Sequence, residues 1–377
     1  MNKNLLLLLC CVQFLLIACE KEDAASKMKI KFSDPQAIIY KEAGANSTAS
    51  NSTTTNASQA DDASKLFQID KQGNVTAVIE GVDVSLVYPF SDGLIIYLSS
   101  GEIYSVYLDN SYLQLPSNVG DFSGENDNGD LFFSNGYFLR KSSHAIEKVQ
   151  TTLTMPYIQY VTGNFAILSG DNITQAFNTV SNERFNIGNC SSQLVALSRE
   201  RALVKGCEGT SVMDMKTGSK SEADIFTMNG EAIYTGNGAI VLTPEAANMA
   251  NIYDQGVYGL GFIDTNGKMV LLSNEGFKPG SMSCMNCGEP NTVLFASGNY
   301  YIVRELDKVS VVRKGDISKK VILTGYNVTS VSINNNKVYF IAEDKYGVRI
   351  AGVYNLLDNS TQMLETQEEF DRVFTLK

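Results

Sequence analysis

Residues 98–104 read LSSGEIY, and the figure returns as FSNGYF at 133–138, LSGDNI at 168–173 and FASGNYY at 295–301. Each has an apolar residue, a small pair near glycine and an apolar return, the pattern of a strand that turns tightly and comes back. Gly101, Gly136, Gly170 and Gly298 lie 35, 34 and 128 residues apart, and 128 is about three periods of 43. A second figure follows these strands: FQIDKQGNV (67–75), VYLDNSYL (106–113), VMDMKTGSK (212–220), FIDTNGKMV (262–270) and YNLLDNSTQM (354–363). Its aspartates, Asp70, Asp109, Asp214, Asp264 and Asp358, sit 39, 105, 50 and 94 apart, close to one, three, one and two periods. Glycine supplies positive φ, and Asp or Asn closes its own turn, so both figures predict hairpins.

Between the turns, runs rich in Val, Ile, Tyr and Phe alternate with Gly, Asn, Asp and Ser. After Leu66 no stretch of ten or more residues holds a 3.6-residue period. That is an all-β pattern. Four short strands every 35–50 residues is the repeat of a β-propeller blade, which buries both its faces only by stacking on neighbours around a channel. Seven four-stranded antiparallel units are predicted, at roughly 82–116, 119–150, 153–189, 192–226, 227–273, 281–324 and 326–364. A hairpin at 66–78 is left over. It either completes the last blade and closes the ring or belongs to an eighth. The alternative architectures are a pair of β-sandwiches or a β-solenoid.

The chain opens MNKNLLLLLCCVQFLLIACEKED. Lys3 precedes an apolar run of 13 residues, Leu5 to Ile17, too short to span a bilayer and suited to a signal peptide. Leu16-Ile17-Ala18-Cys19 resembles the lipobox of bacterial lipoproteins. The resemblance implies that Cys19 is lipidated and becomes the first mature residue, and an ordinary secretory signal is the alternative. Several acyl chains hold firmly where one would not, at about 0.8 kcal/mol per buried methylene. Glu20-Lys21-Glu22-Asp23 resembles the surface-export signal of Bacteroidetes-type lipoproteins, although a solvated charged linker reads the same way. The expected location is the outer membrane, with the periplasmic or surface side left open.

Three segments follow: a lipoprotein signal peptide at 1–18, a flexible tether at 19–63 and a propeller domain at 64–377. Asn46 to Ala60, NSTASNSTTTNASQA, has no large apolar side chain to offset the entropy of ordering. A flexible tether of this length has an end-to-end distance of roughly 35 Å. Met28, Ile30 and Phe32 alternate with lysines and form either one short strand or a segment that orders against a partner. Loss of residues 1–18 removes Lys3 and takes the net charge from −11 to −12. Such a body, with no basic cluster, repels nucleic acids and anionic headgroups. The partners expected are the membrane, through the anchor, and a protein or glycan.

Asp214-Met215-Lys216-Thr217-Gly218-Ser219-Lys220 and Asp264-Thr265-Asn266-Gly267-Lys268 resemble the D-x-x-T-G-K turn of PQQ-like propeller repeats. That class includes the propeller lipoprotein of the outer-membrane barrel-assembly machinery. It follows this turn with a docking Trp, and the chain has no Trp. The quinone cofactor therefore does not carry over, and no cofactor is predicted.

After export and lipidation four thiols remain, Cys190, Cys207, Cys284 and Cys287, and outside the cytoplasm an even set reads first as disulfides. Cys190 and Cys207 are nearly equidistant from an expected turn at Ser198–Glu200, so a hairpin sets them across from each other. Closing that loop is worth roughly 3 kcal/mol in the chain-entropy model. Cys284 and Cys287 form a C-x-x-C followed by Gly288-Glu289-Pro290, without the helix of a thioredoxin motif or the histidine of a haem site. Free thiols, a metal site or redox catalysis are the alternatives. Asp121, Glu125, Asp127 and Asp130 offer oxygens for calcium, but the spacing departs from the EF-hand loop and a solvated acidic turn is the plainer reading. His144 is the only histidine and lies in a turn, KSSHAIE, so triad or His-rich metal chemistry has little to work with. Tyr, at 18 residues, suits contact surfaces, although alternating Tyr in strands is first of all blade packing.

These readings point to a lipid-anchored binding or scaffolding module. Its rivals are a carboxylate-based glycan hydrolase or lyase in the channel, and an accessory factor in outer-membrane assembly. Close carboxylates in the channel favour the enzyme. A channel plugged by apolar or small residues, with an exposed aromatic patch on one rim, favours binding.

Overall fold

The computed structural model describes residues 28–42, 65–171, 173–188, 193–206, 209–225, 231–279, 293–343, 346–364 and 370–376. They form eight four-stranded antiparallel sheets and one two-stranded sheet. Blade 1 is Val84–Phe90, Gly93–Leu98, Ile103–Tyr107 and Tyr112–Leu115, paired in that order. Blades 2 to 7 repeat the plan over 122–148, 157–188, 194–222, 231–271, 294–324 and 327–363. Blade 8 draws on both ends of the chain, in the order Arg372–Phe374, Ala37–Lys41, Lys65–Ile69, Val75–Ala77. Ile38, Ile39 and Tyr40 pair with Phe374, Val373 and Arg372, and this pairing closes the ring.

The fold is the expected β-propeller. Seven blades fall on the predicted units, and the spare hairpin at 66–78 belongs to an eighth blade, not to the seventh. The stretch expected as tether is corrected too. Ala37–Lys41 lies within 19–63 and is a strand in blade 8, so the ring begins well before residue 64. Burial gives the reason: Ala37, Ile38, Ile39 and Tyr40 are at most 1% exposed, and hydrophobic surface of that extent outweighs the ordering cost of five residues. Lys29–Ile30 forms a two-stranded sheet with Ile79–Glu80, and Met28 and Phe32 are buried beside it. The low-complexity stretch 46–60 is thereby an insertion between paired residues Lys41 and Lys65.

The core is divided into eight apolar clusters, one at each seam between neighbouring blades. Period-two alternation makes this division. In blade 1, Leu94 and Ile96 face blade 8 and Ile95 faces blade 2. In blade 7, Val338, Phe340 and Ala342 face blade 6, while Tyr339 and Ile341 face blade 8. A second strand buried on both sides reads as a continuous apolar run, LIIYL in one blade and VYFIA in another.

Because strands alternate in direction, the ring has two unlike ends. The turn face carries the hairpins from inner to second strand and from third to outer strand. The loop face carries the second-to-third connections and the crossings between blades. All five aspartates of the second sequence figure lie in third-to-outer turns, in blades 8, 1, 4, 5 and 7, as their spacing implies. The glycine figure is mixed. Gly101, Gly136 and Gly170 lie at the second-to-third step, whereas Gly298 lies between Leu294–Ser297 and Tyr300–Arg304, an inner-to-second hairpin. The apparent multiple of 43 was a coincidence of turn type. Positive φ serves any tight turn, as at Gly101 (+94°) and Gly298 (+51°), so it marks no one position. An Asp that closes its own turn needs a set geometry and marks one.

Blade 5 departs from the plan at the helix Pro244–Met249, set between its second and third strands. Thr243 caps it by accepting from the Glu245 N–H, and Pro244 opens it. The helix lies on Gly259, where a Cβ would stand 2.3 Å from the backbone of Ala246 and Ala247. Only glycine permits that approach.

Candidate functional site: the central channel

The inner strand of each propeller blade is an edge strand, with one row of N–H and C=O groups open toward the next blade. Side chains of neighbouring blades meet much of this demand. Tyr160 in blade 3 donates to the Leu194 carbonyl (3.2 Å) and accepts from the Leu194 N–H (2.7 Å) in blade 4. Burial pushes its pKa up to about 12, against the opposing pull of that N–H. Thr162 accepts from the Ala196 N–H (3.1 Å). Tyr40 in blade 8 donates to the Ser85 carbonyl in blade 1 (2.9 Å). Glu231, 5% exposed at the head of blade 5, accepts from the N–H groups of Val293 and Leu294 (2.9 and 2.8 Å) at the head of blade 6. Burial holds the guanidinium of Arg304 below its ordinary pKa, with the charge of Glu231 acting the other way.

The channel is a cavity of about 810 Å³ lined by the inner strands of blades 1, 5, 6, 7 and 8. Its wall mixes apolar groups such as Val87, Phe295 and Phe374 with hydroxyls, Ser330, Ser332 and Thr375 among them. Those three hydroxyls bond blade 7 to the C-terminal strand. Ser330 accepts from the Val373 N–H (3.0 Å), Ser332 accepts from the Thr375 N–H (2.9 Å), and the Thr375 hydroxyl donates to the Ile333 carbonyl (2.9 Å). Among the described residues that line this cavity one carboxylate, Asp371, is present. It accepts from the Glu42 N–H (2.7 Å) and pairs with Arg349.

Sequence reasoning overlooked Glu231, Asp371 and the two serines. Their partners lie on a different blade or, for Asp371 and Glu42, more than 300 residues away in the chain, and no local spacing announces a bond of that kind.

The predicted site residues fare differently. Cys19, Cys190, Cys207, Cys284 and Cys287 lie outside the described residues, so the expected lipidation and disulfides rest on the sequence. The hairpin expected between Cys190 and Cys207 is present, with strands Leu194–Ala196 and Arg201–Gly206. The four calcium candidates go to separate partners. Glu125 accepts from the Ser91 N–H (2.8 Å), and Asp130 accepts from the Lys141 N–H (3.0 Å) and pairs with Arg140 (3.1 Å). Asp127 hydrogen-bonds Tyr234, whose pKa rises to about 12 chiefly through burial, and Asp121 adds its charge to the burial that raises Tyr97. Among the described residues no three Asp, Glu, His or Cys side chains come together to hold a metal ion. His144 stacks on Tyr107 at 5.4 Å in the turn-face seam of blades 1 and 2, away from the channel.

No family model matches the sequence, and no curated protein matches it. Among solved structures, the dihydro-heme d1 dehydrogenase NirN is similar with a TM-score of 0.55 at 10% identity, covering 94% of this chain and 81% of that one. The β-propeller domain of the Trilobed protease from Pyrococcus furiosus is similar with a TM-score of 0.46 at 11% identity, covering 76% of this chain and all of that domain. At 10% identity the likeness to NirN is one of fold alone, in keeping with the all-β propeller described above.

Proposed function

We propose that the protein is a lipid-anchored, exported propeller that binds a protein or glycan partner at the cell envelope. The observation that carries this reading is the employment of the channel's polar groups. Ser330, Ser332 and Thr375 bond the ring together, and Asp371 is engaged by Arg349 and a backbone N–H. A glycoside hydrolase needs two carboxyl groups about 5–10 Å apart, one of them free to move a proton. Among the described lining residues Asp371 offers a single carboxylate, and it is already committed to a cation. A rigid ring held by such bonds suits a module that presents surfaces, because a rigid surface loses little entropy on binding.

The anchor follows from the lipobox-like Leu16-Ile17-Ala18-Cys19. Intact-mass analysis of protein from membranes is expected to show acyl chains on Cys19, and Cys19→Ser is expected to release it into the soluble fraction. Crosslinking in native cells with mass spectrometry is expected to return a recurrent protein or glycan partner. Saccharide turnover by the purified ring, abolished by Asp371→Asn, would contradict the binding reading.

A further inference from the structure

We propose that the loop face of the ring lies against a lipid surface, with Tyr253, Leu306 and Tyr346 meeting the headgroup region. This rests on the anchor reading above.

The first observation is where the chain enters the ring. Lys29 pairs with Glu80 and Ile30 with Ile79. Residues 79–80 follow the outer strand of blade 8 (Val75–Ala77) and precede Val84, where blade 1 begins, which is the loop-face end of that seam. From Met28 the chain runs inward to Phe32, whose N–H is bound by the Asn110 side chain in a turn-face hairpin. The lead from Cys19 to Met28 is therefore nine peptide steps and reaches roughly 30 Å at full extension. A 44-residue tether would have left the ring free to turn. A lead this short, fixed at the loop-face end, keeps that face near the bilayer.

The second observation is what the loop face exposes. Tyr253 and Tyr346 are each 78% exposed and Leu306 is 67% exposed. They lie in the second-to-third connections of blades 5, 7 and 6, three consecutive blades. The turn face exposes Leu108, Val180, Ile317 and Leu357 in peripheral turns, and among the described residues its one comparably placed aromatic, Tyr112, is only 43% exposed and packs its ring on Tyr104. Tyrosine is the side chain that settles at a membrane–water interface, apolar in its ring and polar at its tip. Beside Tyr253 and Leu306 the described charges are paired, Asp254 with Lys278 at 3.1 Å and Asp307 with Lys308 at 3.7 Å. On an acidic body with no basic cluster, such a surface fits zwitterionic and not anionic lipid. Contacts this few bind weakly alone. Behind a short tether their effective concentration is on the order of millimolar, so weak contacts suffice to orient the ring.

The chain has no Trp, so one introduced Trp reports from one place. Full-length protein purified from membranes is reconstituted on phosphatidylcholine–phosphatidylethanolamine vesicles with brominated acyl chains. Flotation is measured with Trp quenching for Tyr253→Trp, Tyr346→Trp and Leu357→Trp, all at exposed positions that leave the seams intact. The expected result is flotation of all three, loss of most emission from Tyr253→Trp and Tyr346→Trp, and unchanged emission from Leu357→Trp. Flotation without loop-face quenching, or with quenching of Leu357→Trp alone, overturns the proposal and leaves the anchor standing. Loop-face Trp unquenched by lipid but shielded from acrylamide in envelope fragments places a protein there, and also overturns it. Failure to float, with Cys19 unacylated by mass, removes the anchor reading and this proposal together.

Discussion

The two ends of this ring are made by different rules. On the turn face, a short hairpin follows the third strand of each blade, and five of the eight carry an aspartate that binds its own turn. Asp70 accepts from the N–H groups of Gln72 and Asn74, Asp109 from Ser111, Asp214 from Lys216 and Thr217, Asp264 from Asn266 and Lys268, and Asp358 from Ser360. On the loop face, the described connections vary from Ser99–Glu102 in blade 1 to the helix-bearing insertion of blade 5. The first end is repeated because it is scaffold, stabilised residue by residue. The second is free to vary because the strands beneath it are already fixed by seams and by cross-blade side chains.

The sharpest way to break this comparison is at blade 8. Deleting residues 1–42 removes a strand buried in two seams, and the cooperative unfolding transition is expected to be lost. Replacing 46–60 by a short Gly-Ser link is expected to leave the thermal midpoint almost unchanged. Equal tolerance of both would mean that 28–42 is tether after all.

Next in size is Glu231→Ala. It strips the acceptor from two N–H groups at the head of blade 6, and with each buried group costing about 1–3 kcal/mol the loss is expected at about 2–6 kcal/mol in urea unfolding. Glu231→Gln keeps an acceptor and is expected to cost less. Ser330→Ala at the ring closure removes one such acceptor, at about 1 kcal/mol.

The smallest effects belong to the turn face, and pH brings them out. Asp70, Asp109 and Asp358 are held below the ordinary Asp value of 3.8, most strongly by side-chain hydrogen bonds from Asn74, Ser111 and Ser360, and Asp214 by backbone N–H groups, Thr217 first. A lowered folded pKa means that the unfolded chain binds more protons near pH 3.8. The stabilisation is therefore complete above that pH and is lost as pH falls through the folded values. Changing the four to Asn, which keeps an acceptor without the titration, is expected to leave the midpoint at pH 7 nearly unmoved. It should flatten the decline of the midpoint below pH 4.

The same contrast explains what was legible in the sequence. The aspartate turns were placed blade by blade because an Asx turn ties a residue type to a geometry. Seven blades followed from their period. The outer half of the eighth is legible as the hairpin at 66–78, but its inner half is not, for a physical reason: the inner strand is the three residues Arg372–Phe374, the second strand is AIIYK, and neither carries a turn figure. Only pairing across more than 300 residues makes them one sheet. The channel wall was illegible for the same reason, since Ser330 or Glu231 looks like any polar strand residue until the next blade is beside it.

Hydrogen exchange of the full-length protein tests the central claim, that residues 28–41 belong to the ring. The amides of Ala37–Lys41 are expected to exchange as slowly as those of Lys65–Ile69, the strand to which they are paired. Exchange of 37–41 at the rate of an unstructured peptide, with 65–69 still protected, would contradict it. The short lead to the membrane and the orientation of the ring would fall with it.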